Sequence, residues 1–561
     1  MRTPFLVSLT IVCAAAYAQD RSQARSMVIT DRGIVATSQT LASQAGAQVL
    51  ARGGSAMDAA IAANAVLGVV EPESDGIGGD LFAIYWDAKT GKLSAINASG
   101  WAPTGLNIDF LKSQGLTTMP QAGIHSVTVP GCVEGWDKLQ RRFGKLPWAD
   151  LFQPAIYFAD HGYPVTEMIG NAWKMEEAKL GKDQNGQRIF LRDGHAPKIG
   201  EMFRDPQMAA ALKLIAAQGA QAFYKGAIAQ AILKTSQRLG GKFTAADLAE
   251  FQAEWVEPIA TDYRGWKVYE LPPNGQGIAA IEMLNILSQF PMGDYPSRGA
   301  GELHTQIEAQ KLAFADLRKY IGDTRFGKLP VAGMISMDYA RERAKLIDLG
   351  RANCEVPAGT PPAIRGDTIY LSVVDHDGNI VSLIQSLYDH FGSGVVVDDY
   401  GFTLQNRGGL FLLDDGHPDA LAPRKRPLHT IIPAFMEKGD VHVGFGIMGG
   451  LNQVQAHAQF ISNIVDHGMN IQMALEAPRF TKKNFGGCDV LIESRIPAEV
   501  RDALTSRGHR LKVLGDFASD MGGGQAVVHD SATGVNWGAS DPRKDGAAVP
   551  EAAPYFAPPK K

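Results

Sequence analysis

One stretch restricts the possible folds more than any other. Residues 368–374 (Thr-Ile-Tyr-Leu-Ser-Val-Val) are nearly all apolar or β-branched, Asp377-Gly378 is a turn pair, and residues 381–387 (Val-Ser-Leu-Ile-Gln-Ser-Leu) repeat the pattern. Two such runs joined by a tight turn predict a hairpin of mostly buried strands at the centre of a sheet. Thr368 opens it, behind a Pro-containing run from Val356 to Pro362. A Thr at the start of a strand ordinarily serves β-propensity. Cutting the Asp367–Thr368 bond would add a second property, because Thr368 would then carry a hydroxyl and a free α-amine. With an unperturbed pKa of about 7.7–8.0, that amine can act as the base for its own hydroxyl.

The 561-residue chain is 45% hydrophobic and 20% charged, enough for one large core or two ordinary ones. A formal charge of -5 and a pI near 6.2 provide no basic field, which argues against nucleic acid as a partner, and the cluster Arg424-Lys425-Arg426 is too short to change that. Residues 1–18 combine Arg2, an apolar run from Phe5 to Ala16 and the small-x-small triplet Ala16-Tyr17-Ala18. They read as a secretory signal removed before Gln19, with a retained anchor as the alternative. No later stretch approaches the ~20 apolar residues of a membrane span. Cys132, Cys354 and Cys488 are then the cysteines of the mature chain, too scattered to predict a disulfide framework or a close metal pair. A periplasmic or secreted protein held together by its core is the expectation.

Residues 19–45 are of mixed polarity, and the first strong helix is predicted over 53–67, Ala-rich and apolar on most faces. A loop over 71–79 carries Gly76, Gly78 and Gly79, which permit close backbone approach, and 80–86 with 92–97 read as a hairpin. Helical spacing continues through 147–161, 206–218, 224–238 and 244–251, the last with Thr244 as N-cap and Asp247 completing a capping box. Residues 180–205 read as a surface connection. Helices are expected near 277–289, 301–320, 452–466 and 471–477, strands at 430–437 and 441–445, and a frayed Pro- and Ala-rich tail from Ala547.

Gly444-Phe445-Gly446-Ile447-Met448-Gly449 satisfies G-x-G-x-x-G between a strand and a helix. A second helical stretch follows where a dinucleotide fold needs a parallel strand with an acidic end, so the same physics is better used on another anion: backbone N–H groups at a helix start meet negative charge. There is no H-E-x-x-H, no Cys/His cluster and no G-x-S-x-G. His442 and His457 read as packed or surface residues, and Asp316, Arg318 and Asp323 as members of structural ion pairs.

The run from Asp367 to Asn379, followed by Phe391-Gly392-Ser393-Gly394, resembles the γ-glutamyltranspeptidase family of N-terminal-nucleophile hydrolases. Ala222-Phe223-Tyr224-Lys225-Gly226 and the stretch from Asp262 to Pro273 extend the likeness over nearly the whole mature chain. The resemblance implies a four-layer αββα sandwich and a proenzyme that cuts itself between Asp367 and Thr368. The products would be a large subunit, 19–367, and a small one, 368–561, paired as a heterodimer. It further implies Thr368 as nucleophile, Gly449 and Gly450 as oxyanion hole, and Ser386 in place of the Thr that orients the nucleophile.

Other positions depart from the family pattern. Ser99 replaces the Arg that holds a substrate α-carboxylate, Tyr388 an Asn, Arg407 and Leu410 the Gln and Asp that hold the α-amino group, and His429-Thr430 a Ser-Ser pair. Arg407 could supply a cation from a new direction, whereas Leu410 cannot replace a carboxylate. The segment after Phe411 is shorter than the lid of lidded members, which favours hydrolysis over transfer. No metal or organic cofactor is required. Three readings follow: a γ-glutamyl hydrolase or transferase acting on glutathione-like peptides, an amidohydrolase of other acyl amides of the oxamate or cephalosporin type, and an unprocessed binding protein.

Overall fold

The structure, a computed structural model, describes residues 23–356 and 367–555. The expected signal at 1–18 and most of the Pro-containing run ahead of the hairpin lie outside them. Two seven-stranded sheets form the centre, and every pairing within them is antiparallel. The first runs Ala547–Pro550, Ile34–Thr37, Asp367–Val374, Ile380–Tyr388, Asp80–Asp87, Lys92–Ala98, Glu254–Val256. The second runs Val28–Thr30, Val535–Ser540, Gly524–Asp530, Val441–Ile447, Ala434–Lys438, Trp266–Glu270, Ile259–Tyr263.

Strand alternation sorts the side chains into layers. Ile369, Leu371 and Val373 face outward into a core shared with the helix Ala56–Val70, while Tyr370 and Val374 face the other sheet. In the second sheet Val443, Phe445 and Ile447 meet the helices Gly277–Leu287 and Asn452–Val465. Helices therefore cover both outer faces, giving the αββα sandwich of the N-terminal-nucleophile hydrolases. Each buried Ile, Leu or Val contributes roughly 1.5–3 kcal/mol. Between the sheets, Gly444 and Gly446 leave room for the hairpin, since a Cβ on Gly446 would stand 2.5 Å from the Tyr370 ring. The Tyr370 hydroxyl meets the hydroxyls of Ser372 and Ser382.

The helix Ala56–Val70 is buried along its whole length and starts from a capping box between Ser55 and Asp58. Asp375, at the hairpin turn, accepts the Ala56 N–H at 3.0 Å, which ties the helix start to the hairpin. The G-x-G-x-x-G run leaves an antiparallel strand, so it does not form the βαβ unit of a dinucleotide fold.

Two expectations are corrected. Cys354 and Cys488 form a disulfide, Cα–Cα 4.9 Å, although 134 residues separate them in sequence. The tail is not frayed from Ala547: Ala547–Pro550 pairs with Ile34–Thr37, and Glu551 meets Arg32 at 3.2 Å. The mixed-polarity start holds the strands Val28–Thr30 and Ile34–Thr37 and the helix Thr40–Ala51, whose small residues gave it a weak periodic signal. Residues 180–205 contain the short helix Gln184–Phe190. Asp316 pairs with Arg343 and Asp323 with Arg325, and His457 is buried against Glu270 at 2.8 Å. Among the described residues no helix is long and apolar enough to cross a membrane.

Candidate active site

Thr368 is fully buried at the start of its strand, and its Oγ1 lies 3.1 Å from Ser386 Oγ on the neighbouring strand. The register explains the meeting. Asp367 pairs with Tyr388 but Ile369 pairs with Gln385, so Ser386 and Leu387 together oppose Thr368 in a bulge. Tyr388 then turns with φ 83°, a left-handed conformation that costs a non-glycine residue roughly 1–2 kcal/mol, and donates its N–H to Ser386 Oγ at 2.7 Å.

Across the gap between the sheets, Gly444 packs by Ile380 and Ser372 and Gly446 by Tyr370, so the strand carrying them runs toward the Thr368 end. Gly449 and Gly450 lie just beyond that strand, with φ 123° and 60°, ahead of the helix Asn452–Val465. Their N–H groups donate to no other described residue. Gln276 Nε2 fixes the turn by donating to Gly450 O at 2.8 Å and to Thr430 O at 2.6 Å.

Next to Ser386 in register lies Asp80, which the sequence reading did not single out. Its Oδ1 accepts the Gly131 N–H at 3.1 Å, and its Oδ2 accepts from His429 Nε2 at 3.1 Å and Gln405 Nε2 at 3.3 Å. Burial lifts the Asp80 carboxyl to about 7 against the opposing pull of the Arg407 charge and the Gly100 and Gly131 N–H groups. Burial, then the charges of Arg407 and Arg426, hold the His429 imidazole well below its usual range, so it is neutral and donates from Nε2. Its Nδ1 accepts the Ile431 N–H, and Phe82 lies on its ring at 4.7 Å.

Arg407 is 0% exposed. Its Nη1 donates to Thr430 Oγ1, its guanidinium lies 4.4 Å from the centre of the Tyr388 ring, and Nε and Nη2 have no partner among the described residues. Burial lowers it to about 10, opposed by Asp80, so it stays charged. The Tyr388 hydroxyl also lacks a partner among the described residues. Ser99 donates to Asn97 Oδ1 at 2.8 Å and accepts from Asn274 Nδ2 at 3.1 Å; Asn274 O in turn accepts the His429 N–H at 2.9 Å. Ser99, His429 and Thr430 are thus engaged within the protein, and the unsatisfied polar edge belongs to Arg407 and Tyr388. Asp80 was the missed residue; its position directly after Gly78-Gly79, at the head of a strand, was the available signal.

The sequence matches the family description Gamma-glutamyltranspeptidase over residues 42–551. The chain belongs to the γ-glutamyltranspeptidase family. It is a divergent member, and an enzyme of the family's hydrolase and acyltransferase class. It is 37% identical over 527 residues to the glutathione hydrolase-like YwrD proenzyme of Bacillus subtilis, covering 93% of this chain and 99% of that one. It is 34% identical over 531 residues to the oxamate amidohydrolase proenzyme of Klebsiella pneumoniae, covering 93% and 99%. Among solved structures it resembles a cephalosporin acylase from Bacillus halodurans, with TM-score 0.88, 41% identity and coverage of 96% and 99%. The names of these relatives differ in activity, from glutathione hydrolase-like to oxamate amidohydrolase and cephalosporin acylase.

Proposed function

We propose that the protein is a self-processing amidohydrolase that uses Thr368 as an N-terminal nucleophile. The observation that carries the reading is the Thr368 Oγ1 to Ser386 Oγ contact of 3.1 Å at the end of the inter-sheet gap toward which Gly449 and Gly450 also lie. In the precursor, attack of Thr368 Oγ1 on the Asp367 carbonyl exchanges the peptide bond for an ester. That exchange frees the Thr368 amine, and water then cleaves the ester, restoring the Thr368 hydroxyl and leaving subunits 19–367 and 368–561. The amine accepts the hydroxyl proton as Oγ1 attacks a substrate amide, and it protonates the leaving amine. Ser386 orients the hydroxyl. The Gly449 and Gly450 N–H groups receive the oxyanion, each such donor being worth about 3–4 kcal/mol. Water releases the acyl group from the threonine ester. On this reading the signal-like residues 1–18 direct the protein to the periplasm or outside the cell.

The substrate on this reading is an amide whose acyl group carries a carboxylate. The free Nε–Nη2 edge of Arg407 matches a carboxylate in the two-pronged way that guanidinium favours. The ammonium of a γ-glutamyl group would need a carboxylate partner, and both oxygens of Asp80 already accept hydrogen bonds. Hydrolysis of γ-glutamyl peptides such as glutathione is the second reading, favoured by the 37% identity to the YwrD proenzyme. Two measurements test the proposal. N-terminal sequencing of the smaller piece should begin at Thr368, and Thr368→Ala should leave the chain uncut; a start elsewhere overturns the nucleophile assignment. Turnover of dicarboxylic monoamides should exceed that of a γ-glutamyl anilide, and the reverse order selects the second reading.

A further inference from the structure

Cys354 lies on the N-terminal side of the Asp367–Thr368 bond, Cys488 on its C-terminal side, and the two sulfurs are bonded to each other. We infer that processing leaves the large and small subunits as one covalent molecule, joined through Cys354–Cys488. This rests on the proposed cut at Thr368 and goes beyond it, because a heterodimer of the processed kind would otherwise be held by non-covalent contacts alone.

The backbone around both cysteines is seated by contacts independent of the S–S bond. Ala352 donates its N–H to Arg507 O at 2.7 Å, and Asn353 donates its N–H to Glu308 Oε2 at 3.1 Å. Lys311 Nζ donates to Asn353 O at 2.9 Å and lies 3.6 Å from Cys488 Sγ. On the other side Arg510 donates its N–H to Cys488 O at 2.8 Å. The fold thus brings two distant thiols into bonding range and places an ammonium beside the buried one, Cys488, where it favours the thiolate that completes disulfide exchange.

The oxidant is a disulfide-bearing exchange partner. The thiolate of Cys354, which is exposed whereas Cys488 is buried, attacks one sulfur of that disulfide, forming a mixed disulfide and expelling the partner's other sulfur as thiolate. The Cys488 thiolate then attacks Cys354 Sγ, forming the Cys354–Cys488 bond and releasing the partner as a dithiol. The two protons lost by the cysteines end on the partner's sulfurs, and the two electrons reduce it.

The link changes how the processed enzyme recovers from unfolding. Two separate chains must find each other, at a rate that falls with dilution, whereas tethered chains meet at an effective concentration set by the linker. The subunits contribute adjacent strands to both sheets, so neither can complete its sheets alone.

The test uses the purified, processed full-length enzyme with its free thiols alkylated. Denaturing electrophoresis should show two pieces with reductant and one species of full mature mass without it. Two pieces without reductant overturn the tether. Protease digestion without reductant should also release a peptide pair joined through Cys354 and Cys488, and separate alkylated peptides overturn the tether even where the chain proves uncut. A single band with reductant instead counts against the cut at Thr368, so the two ideas fail separately. After unfolding in urea without reductant, regained activity should be independent of protein concentration over a hundredfold range. A Cys354→Ser/Cys488→Ser enzyme should regain activity that falls with dilution; equal dilution dependence in both proteins overturns the proposed consequence.

Discussion

Arg407 is the residue whose burial most needs a functional account. A charged guanidinium with two nitrogens unpartnered among the described residues is costly in a closed interior unless a ligand completes it. Replacing Arg407 by Met should raise KM for a carboxylate-bearing amide by about a hundredfold, the equivalent of about 3 kcal/mol for a charge-assisted pair, with less effect on an uncharged acyl amide. Equal loss on both substrates would make the residue structural. Asp80 gives a pH test. Its carboxyl is lifted from 3.8 to about 7 in the folded protein, so the native state holds a proton that the unfolded chain sheds, and its contribution to stability falls as pH rises from about 4 to about 7. His429 acts in the opposite sense: with its folded pKa held well below 6.5, its contribution falls as pH drops beneath 6.5. Asp80→Asn removes only the first effect. Measured by urea midpoints, the variant should therefore gain on the wild type steadily between pH 4 and pH 7. A constant difference across that range would mean that Asp80 ionises as it does in water.

At the scale of elements, the glycines on the inner faces are the sensitive positions. Gly446 has no room for a methyl group beneath Tyr370, so Gly446→Ala should destabilise the fold by about 1–3 kcal/mol through forced repacking, readable as a lower denaturation midpoint. Gly450 sits at φ 60° with an undonated N–H. Gly450→Ala should cost about 1–2 kcal/mol in stability if that conformation is kept, and up to a thousandfold in kcat if the turn shifts and the donor moves. The hairpin itself was legible in sequence, because two β-branched runs around Asp377-Gly378 have few alternatives, and the observed strands differ from the expected ones by a residue at most. The capping box at Thr244 and Asp247 was legible for the same local reason. The helix Thr40–Ala51 was not, since Ala, Gly, Ser and Gln carry little amphipathic pattern and it forms by packing on the helix Ala56–Val70.

For the whole molecule, the proposed cut passes through a structure in which both sheets mix strands from before and after Thr368. The processed enzyme, reduced in native buffer, should therefore still elute as a single species of the full mature mass; separation on reduction alone would mean the sheets contribute little to holding the pieces together. The amino-acid sequence by itself determined the hairpin, the turn glycines and the helix caps, because each depends on residues close together in the chain. Tertiary structure alone decided the Cys354–Cys488 pairing, the return of the tail to the edge of the first sheet, and the arrangement of Asp80, His429 and Arg407. Those depend on which distant groups the two packed sheets bring together and on how far burial then shifts their charges, and neither quantity is written in local spacing.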